Sequence, residues 1–482
     1  MIHAEDAYTV KVPSADQAVA ARLSLRDGKI LLATGDMVAL LVPMLLATWD
    51  RRGASLQFIS SVELLSLFGS TALWFLLALS SNLYSLSRAA SYPRTHLATV
   101  AAAFVVLTAR SLYELPSLTG PLWLKASLAI TAVVLFAIWR TLFCAAARKF
   151  PFARRVLVVG AGRSGGILAA AVAENQLRGD RGFQLVGFVD DEETKVGQLH
   201  AGLPVLGKTE TLMDWVKQLG VDTICLSINR TPVLSAGVFT GLVTAREQGV
   251  RITSMPQMYE DLMQKVAVEH VGNNWGVMFP VEQPRHLLLH DVFVRILDVA
   301  AGIVGLALTA LLMPFIALAN ACGGSPGPIF YRQLRVGKSG RNFSIVKFRS
   351  MTVNAESNGA QWSTHGDPRI TPVGRFLRRT RLDELPQFWN ILKGEMSLIG
   401  PRPERPEFVA KLAESIPFYR ARHAVKPGLT GWAQVKYRYG SSEEDSLIKL
   451  QYDLCYIKHR SPVLDLRIIS KTIRVVLTAA GQ

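Results

Sequence analysis

Two adjacent carboxylates, Asp383 and Glu384, stand in the stretch RRTRLDELPQFWNILKGEMSLIGPRPERP, behind Arg378, Arg379 and Arg381 and ahead of a Pro-Arg-Pro clasp at 401–403. Acids at a helix start are usually caps, and Leu385, Phe388, Trp389 and Leu392 follow helical spacing up to Gly394, a natural stop. Pro386 is tolerated there because it falls in the first turn. The pair therefore meets the positive end of a helix dipole. A cap needs no cluster of arginines, whereas phosphate does. Paired carboxylates beside phosphates are the hard oxygen donors that Mg²⁺ takes, with the remaining ligands supplied by substrate and water. A carboxylate can also attack phosphorus and form an acyl phosphate. An electropositive site keeps that carboxylate ionised.

The elements that must carry such a site are set by an unusual composition. Half of the 482 residues are hydrophobic and only 19% are charged, which marks a chain partly embedded in a membrane. Lys and Arg number 53 against 37 Asp and Glu, a formal charge of +16 that suits an anionic membrane face or a phosphorylated substrate. The basic residues are dispersed rather than arranged in a stripe, so nucleic acid is not an expected partner. The four cysteines (Cys144, Cys225, Cys322 and Cys455) are far apart and suggest neither a zinc site nor a disulfide framework. The first 28 residues are polar and of mixed charge, so a cytoplasmic tail, 1–28, is expected without a cleavable signal peptide.

Apolar stretches at 30–49, 56–80, 95–113 and 121–143 are each near the ~20 residues of a membrane helix, which predicts a four-helix transmembrane bundle over 29–147. Asp36 and Glu63 inside these stretches are costly in lipid and should face the bundle interior or an end. Lys11, Arg22, Arg26, Lys29, Arg88, Arg94, Arg148, Lys149, Arg154 and Arg155 place both ends of the bundle in the cytoplasm, with Arg51 and Arg52 opposing.

The next segment, 148–284, alternates strands and helices and reads as a Rossmann-like module. RRVLVVGAGRSGG runs a strand into Gly160, Gly162 and Gly165, and Asp190 ends the next strand, where a ribose-binding acid sits in dinucleotide folds. No Tyr-x-x-x-Lys set follows, so the glycines are read as a tight turn and close packing rather than as hydride chemistry. From Val299 to Ala321 no residue is charged, yet Arg332, Arg335, Lys338, Arg341, Lys347 and Arg349 follow at once. A basic block belongs on the cytoplasmic side. A helix over about 293–321 that enters one leaflet, breaks at Met313-Pro314 and returns reconciles the two facts, with Thr309 as a hydroxyl able to satisfy freed backbone. A plain crossing is the simpler alternative.

SPGPIFYRQLRVGKSGRNFSIVKFRSM, RITPVGRFLRRTRLDELPQFWNILKGEMSLIGPRPERPE and VKPGLTGWAQV, in that order after a broken apolar segment, resemble the bacterial sugar transferase family, the monotopic phosphoglycosyl transferases. With the spans and the Rossmann-like module in front, the whole chain is similar to the large polyprenyl-phosphate hexose-1-phosphate transferases. That resemblance implies an α/β monotopic catalytic domain over 285–482 with a re-entrant helix, in a multi-pass protein of the bacterial inner membrane whose catalytic domain faces the cytoplasm. It implies that Asp383 attacks the β-phosphorus of a UDP-hexose, releases UMP, and passes the phosphosugar to undecaprenyl phosphate. Exopolysaccharide or O-antigen repeat units would start there. Glu384 would hold Mg²⁺ or manage protons beside Asp383, and Lys347, Arg378 and Arg402 would contact phosphate or nucleotide. Glucose 1-phosphate is the first expectation and galactose 1-phosphate the second, on frequency within the family. The family architecture also allows a homodimer.

Each of these residues has a plainer reading. Lys347 can be an exposed strand residue, Arg378 a partner of membrane phospholipid, and Arg402 the brace of a turn. Trp432 in KPGLTGWAQV can shape the site, rest at the lipid interface or fill a core. The last segment puts Arg467, Lys471 and Arg474 on one face of a basic amphipathic helix, suited to an anionic membrane surface or to a core helix with one wet side. Two features depart from the family pattern. Met-Pro stands at 313–314 where Ser-Pro is common, and KYRYGSSEED follows GWAQV where Asn-Gly-Arg is frequent. Other classes stay open: a membrane-bound NAD-dependent nucleotide-sugar dehydratase or epimerase, a non-catalytic assembly platform, and a lipid-linked transferase that moves only the sugar and releases UDP.

Overall fold

Three long helices cover much of the apolar first third: α1 (Leu25–Arg52), α2 (Ser61–Ser80) and α3 (Leu122–Lys149). They belong to a computed structural model that describes residues 25–52, 61–81, 83–84, 99–103, 105–106, 122–149, 153–177, 182–227, 236–268, 286–322, 327–357, 359, 367–437, 440 and 442–477. The apolar stretch expected at 95–113 is described only at 99–103 and 105–106, where it is helical, and most of the tail 1–28 and the Glu63 side chain lie outside the described residues. Asp36 of α1 is fully buried and ion-paired to Arg140 of α3, whose guanidinium also donates to the Leu83 carbonyl at 3.1 Å. The acid therefore faces inward, as its cost in an apolar environment requires. Trp74 and Phe136 stack beside the pair, 4.2 Å between centroids. Among the described residues one helix, Leu288–Cys322, is long and apolar enough to cross a membrane, with shorter apolar runs at Phe68–Leu79 and Ile130–Ala146.

A six-stranded sheet follows, built from β1 (Arg154–Val159), β2 (Phe183–Val189), β3 (Leu199–His200), β4 (Leu203–Gly207), β5 (Thr223–Leu226) and β6 (Arg251–Ser254) in the order β3-β4-β2-β1-β5-β6. All pairings are parallel except β3 with β4. Helices α4 (Arg163–Leu177), α5 (Leu212–Leu219), α6 (Ala236–Glu247) and α7 (Met255–Met263) cover it. Continuous apolar strands such as VLVV are buried on both faces, which is why they read as unbroken runs. The Rossmann-like reading of this segment holds.

The contacts divide the chain into Met1–Met263 and Gln264–Gln482. The expected boundary at 284/285 lies inside the second unit. Val266 is fully buried against Leu450 and Leu454, and its amide donates to the Gln451 carbonyl at 3.0 Å. Among the described residues the second unit contains α8 (His286–Cys322), then a hairpin of β7 (Phe330–Val336) and β8 (Asn342–Phe348). Helix α9 (Pro372–Arg379), a 3₁₀ turn (Leu382–Gln387) and α10 (Phe388–Lys393) come next. They are followed by β9 (Ser397–Ile399), α11 (Pro406–Ser415), β10 (Gly428–Thr430), α12 (Trp432–Lys436), α13 (Glu443–Lys458) and α14 (Pro462–Leu477). β9 and β10 pair in parallel.

Helix α8 differs from the expected broken segment. It is 37 residues long and runs unbroken through Pro314, so at ~1.5 Å per residue it extends about 55 Å. Thr309 does not serve the carbonyl freed by Pro314: its hydroxyl donates to Gly305 at 2.7 Å, one turn earlier. One face of α8 touches the rest of the second unit along its length. His290 bonds Asp465 at 2.7 Å, Arg295 donates to the carbonyls of Ile391 and Leu392, Asp298 accepts from Ser397 and Leu398, and Ile316 packs on Phe348 and Leu377. The opposite face exposes Leu289, Ile296, Ile303, Leu311, Phe315 and Leu318.

Candidate active site

The Asp-Glu pair does not open an α-helix as its spacing predicts. It lies in the first turn of the 3₁₀ segment Leu382–Gln387, with Pro386 inside, and the α-helix begins only at Phe388. Gly394 ends that helix in the left-handed conformation, as expected. Arg381 precedes the pair with φ +60°, a conformation that costs a non-glycine residue roughly 1–2 kcal/mol. It directs its guanidinium to Glu384, 3.8 Å away. Strain of this kind is retained where the surroundings dictate it, commonly at functional sites.

Lys347 of β8, Arg381 and Arg402 converge on one carboxylate. Arg402 meets Glu384 at 2.7 Å and Lys347 meets it at 3.4 Å. Arg378 does not join them: it donates to the Ser350 hydroxyl at 3.0 Å, and its charge reaches Asp383 only through space. The plain strand and turn readings of Lys347 and Arg402 thus give way to a shared electrostatic site.

The two acids are nearly equally buried, 6% and 8% exposed, yet their carboxyls are shifted in opposite directions. Burial alone would raise Glu384, but Arg402, Lys347 and Arg381 overcome it and hold the carboxyl far below the usual range. Asp383 goes the other way: burial, reinforced by neighbouring Glu384, pushes it up against Lys347 and Arg378. The cations lower Glu384 most strongly and act on Asp383 against a larger opposing effect of burial. No hydrogen bond or ion pair to Asp383 is found among the described residues, so its oxygens are available to a ligand. Lys347 is drawn below its ordinary value by burial and by Arg402, with Glu384 opposing.

The loop Pro401-Arg402-Pro403 rests on the glycine-rich segment. Gly428 donates to the Pro401 carbonyl and Gly400 donates to Thr430, each at 2.9 Å. A Cβ at Gly428 would overlap the backbone of Gly400, so only glycine allows this approach. Trp432 is 2% exposed, its indole donating to Gln264, which excludes a place at the lipid interface in this unit. Lys471 of α14 lies 5.0 Å over the same ring, and Asp465 and Ile468 are buried, so α14 is a core helix with an exposed Val463 and Ile473. Arg335 and Arg422, which sequence spacing did not single out, both donate to carbonyls of the Pro-Arg-Pro loop. Only long-range contacts reveal them.

In the Rossmann-like module, Asp190 is already engaged. One oxygen accepts from Ala161 at 2.7 Å, the other from Glu192 at 3.0 Å, and Lys195 pairs with it at 3.5 Å. His200 donates to the Gly162 carbonyl at 3.0 Å, and a Cβ at Gly165 would collide with the Gly160 carbonyl and Phe188. Gly165 thus serves close packing, whereas a Cβ at Gly162 would meet open space.

The bacterial sugar transferase family model matches residues 289–479, and a CoA-binding domain model matches residues 81–256. A UDP-N-acetylgalactosamine-undecaprenyl-phosphate N-acetylgalactosaminephosphotransferase of Aeromonas hydrophila is 42% identical over 233 residues, 48% of this chain and 53% of that protein. A UDP-glucose:undecaprenyl-phosphate glucose-1-phosphate transferase of Xanthomonas campestris pv. campestris is 35% identical over 306 residues, 61% of each chain. A protein of the same description from Caulobacter vibrioides is 40% identical over 190 residues, 39% of this chain and 71% of that protein. The chain thus spans between half and two thirds of the first two relatives' length.

Proposed function

Because the chain belongs to the bacterial sugar transferase family, we propose that it transfers a hexose 1-phosphate from a UDP-sugar to undecaprenyl phosphate and releases UMP. The observation that carries this reading is a buried, unpaired Asp383 beside a Glu384 that three cations hold ionised. An Asp383 oxygen attacks the β-phosphorus of the donor. The bond from that phosphorus to the bridging oxygen breaks, and UMP departs with the electron pair. The aspartyl phosphosugar is then attacked at phosphorus by an oxygen of undecaprenyl phosphate, which returns Asp383 to its carboxylate. Arg402, Lys347 and Arg381 offset the charge gathering on the phosphoryl oxygens. Arg378, linked to Ser350, adds positive potential at Asp383.

Asp383 and Glu384 also fit Mg²⁺ as donors. Among the described residues no set of three His, Cys, Asp or Glu could hold a metal without help, so substrate phosphates would complete the shell. When bound there, Mg²⁺ neutralises diphosphate charge. Glucose stays the first expectation among sugars. The names of the relatives add N-acetylgalactosamine to galactose as donors to test. Incubating the full chain with undecaprenyl phosphate and these UDP-sugars should yield one UMP per glycolipid. Release of UDP instead would mean that only the sugar moves and would overturn the aspartyl mechanism.

The same proposal includes a multi-pass membrane protein, with α8 held in the cytoplasmic leaflet. The support is that α8 contacts its own unit from His290 to Ile316 while its other face is apolar and exposed. A helix crossing the bilayer could touch a water-soluble unit at one end only. Continuous helix across Pro314 makes this a bent or slanted immersion rather than a broken hairpin. Cys322 at the end of α8 is exposed, whereas Cys144, Cys225 and Cys455 are buried. A membrane-impermeant maleimide should label Cys322 in inverted vesicles and not in intact spheroplasts. The reverse pattern would put the end of α8 in the periplasm and sink the proposed topology.

A further inference from the structure

Arg402 delivers its guanidinium to Glu384 from a loop that has few contacts of its own with the acid pair. Its backbone, however, is gripped from beneath. Arg422, in the 3₁₀ turn Tyr419–Ala424, is 4% exposed, and Asp453 of α13 is 1% exposed. The Arg422 guanidinium donates to Asp453 Oδ2 at 2.8 Å, to the Tyr419 hydroxyl at 2.6 Å, and to the Arg402 carbonyl at 3.2 Å. On the neighbouring residue, Arg335 of β7 donates to the Pro403 carbonyl at 3.0 Å.

A buried ion pair that only held α13 to the turn would have no reason to extend a donor into this loop. The fork shape of guanidinium lets one side chain satisfy a carboxylate, a hydroxyl and a carbonyl in fixed directions, which an ammonium cannot do. The prolines at 401 and 403 limit the loop to few conformations, so fixing the carbonyl of Arg402 fixes the origin of its side chain. We propose that the buried Arg422–Asp453 pair positions Arg402, and that its loss is felt at the phosphate site rather than in the fold alone. The inference rests on the reading of Arg402 as a phosphate contact.

Arg422→Lys is the first test. It keeps the charge opposite Asp453 and forfeits the reach to the Arg402 carbonyl. In the full-length protein, UMP release from the UDP-sugar the wild type accepts should fall about 10- to 100-fold, the scale set by a misplacement near 1 Å. The variant should stay folded at the assay temperature with a lowered melting temperature, because a buried ammonium cannot satisfy all three partners. Asp453→Asn, which weakens the pair without changing its size, should lower the rate in the same direction. The deciding readout is coupling to Arg402→Lys. If Arg422 acts through Arg402, the Arg422→Lys/Arg402→Lys double variant loses no more than about threefold beyond the worse single variant. Losses that multiply, or wild-type turnover in Arg422→Lys, would overturn the positioning role. A wild-type protein that makes the glycolipid yet is indifferent to Arg402→Lys would overturn the parent reading of Arg402, and the inference with it.

Discussion

Asp383→Asn should make a folded protein that forms no polyprenyl-diphosphate sugar, with turnover reduced about 10⁴-fold or more, the range seen when a nucleophile is removed. The substitution is nearly isosteric, and Asp383 gives up no hydrogen bond among the described residues. Its carboxyl is raised above its ordinary value by burial and by Glu384. An acid raised in this way lowers stability as pH climbs from its ordinary value through its folded one. Asparagine removes that dependence, and the variant should melt at or above the wild-type temperature near neutral pH. The rate carries the opposite sign. Only the ionised acid attacks, so turnover in the wild type should rise with pH through the folded value of Asp383. Glu384→Gln removes one cause of the upward displacement and should move that limb to lower pH while weakening phosphate and metal binding. Glycolipid synthesis at wild-type speed by Asp383→Asn would rule out the acyl-phosphate route.

Gly305→Leu should also damage the site, from a position in α8 that bears no functional group. A Cβ at Gly305 would overlap the Phe388 ring, and one at Gly302 would overlap Leu392. Phe388 directly follows the 3₁₀ turn that holds the acids. Forcing it aside must shift either α8 or the turn. Overpacking of this kind commonly costs about 1–3 kcal/mol of stability, and a comparable displacement of catalytic groups costs about 100-fold in rate. Lower melting temperature together with at least that loss of turnover is expected. Ile303→Ala, on the outward face of the same helix where Ile303 is 60% exposed, should stay within about twofold of wild type. Equal damage from both substitutions would mean that α8 acts only as an anchor and does not set the turn.

Much of the site was legible from residue types at short spacing. The acid pair under arginines, Lys347 in its strand and Arg402 between prolines all belong to local words, and Lys347, Arg402 and one of those arginines, Arg381, meet at Glu384. Arg378 donates to Ser350 while its charge acts on Asp383, and Arg381, three positions on and past the helix end, is the one that reaches Glu384. Arg335 and Arg422 could not be read, since each acts on backbone far away in sequence. Trp432 was ambiguous because a tryptophan suits both an interface and a core, and only the closing of β10 against β9 decides for burial. The break expected at Pro314 was too strong an inference: a proline removes one hydrogen bond, and a long helix can carry that loss as a bend. Beyond Val299 the inward face of α8 was hidden because no charged residue marks either face there. Its message lies in Gly302 and Gly305, which no hydropathy pattern distinguishes.

That seam of glycines along α8 has a mechanical corollary. Under the proposed immersion in one leaflet, a segment fastened to its own unit from His290 to Ile316 has its depth dictated by the protein, not by how thick the surrounding lipid happens to be. Lengthening the acyl chains, which tilts or crowds helices that run from one water phase to the other, should leave the geometry between Asp383 and an arriving lipid phosphate untouched. What such a segment does feel is crowding within its own monolayer, so lateral pressure and headgroup size become the membrane properties that govern turnover.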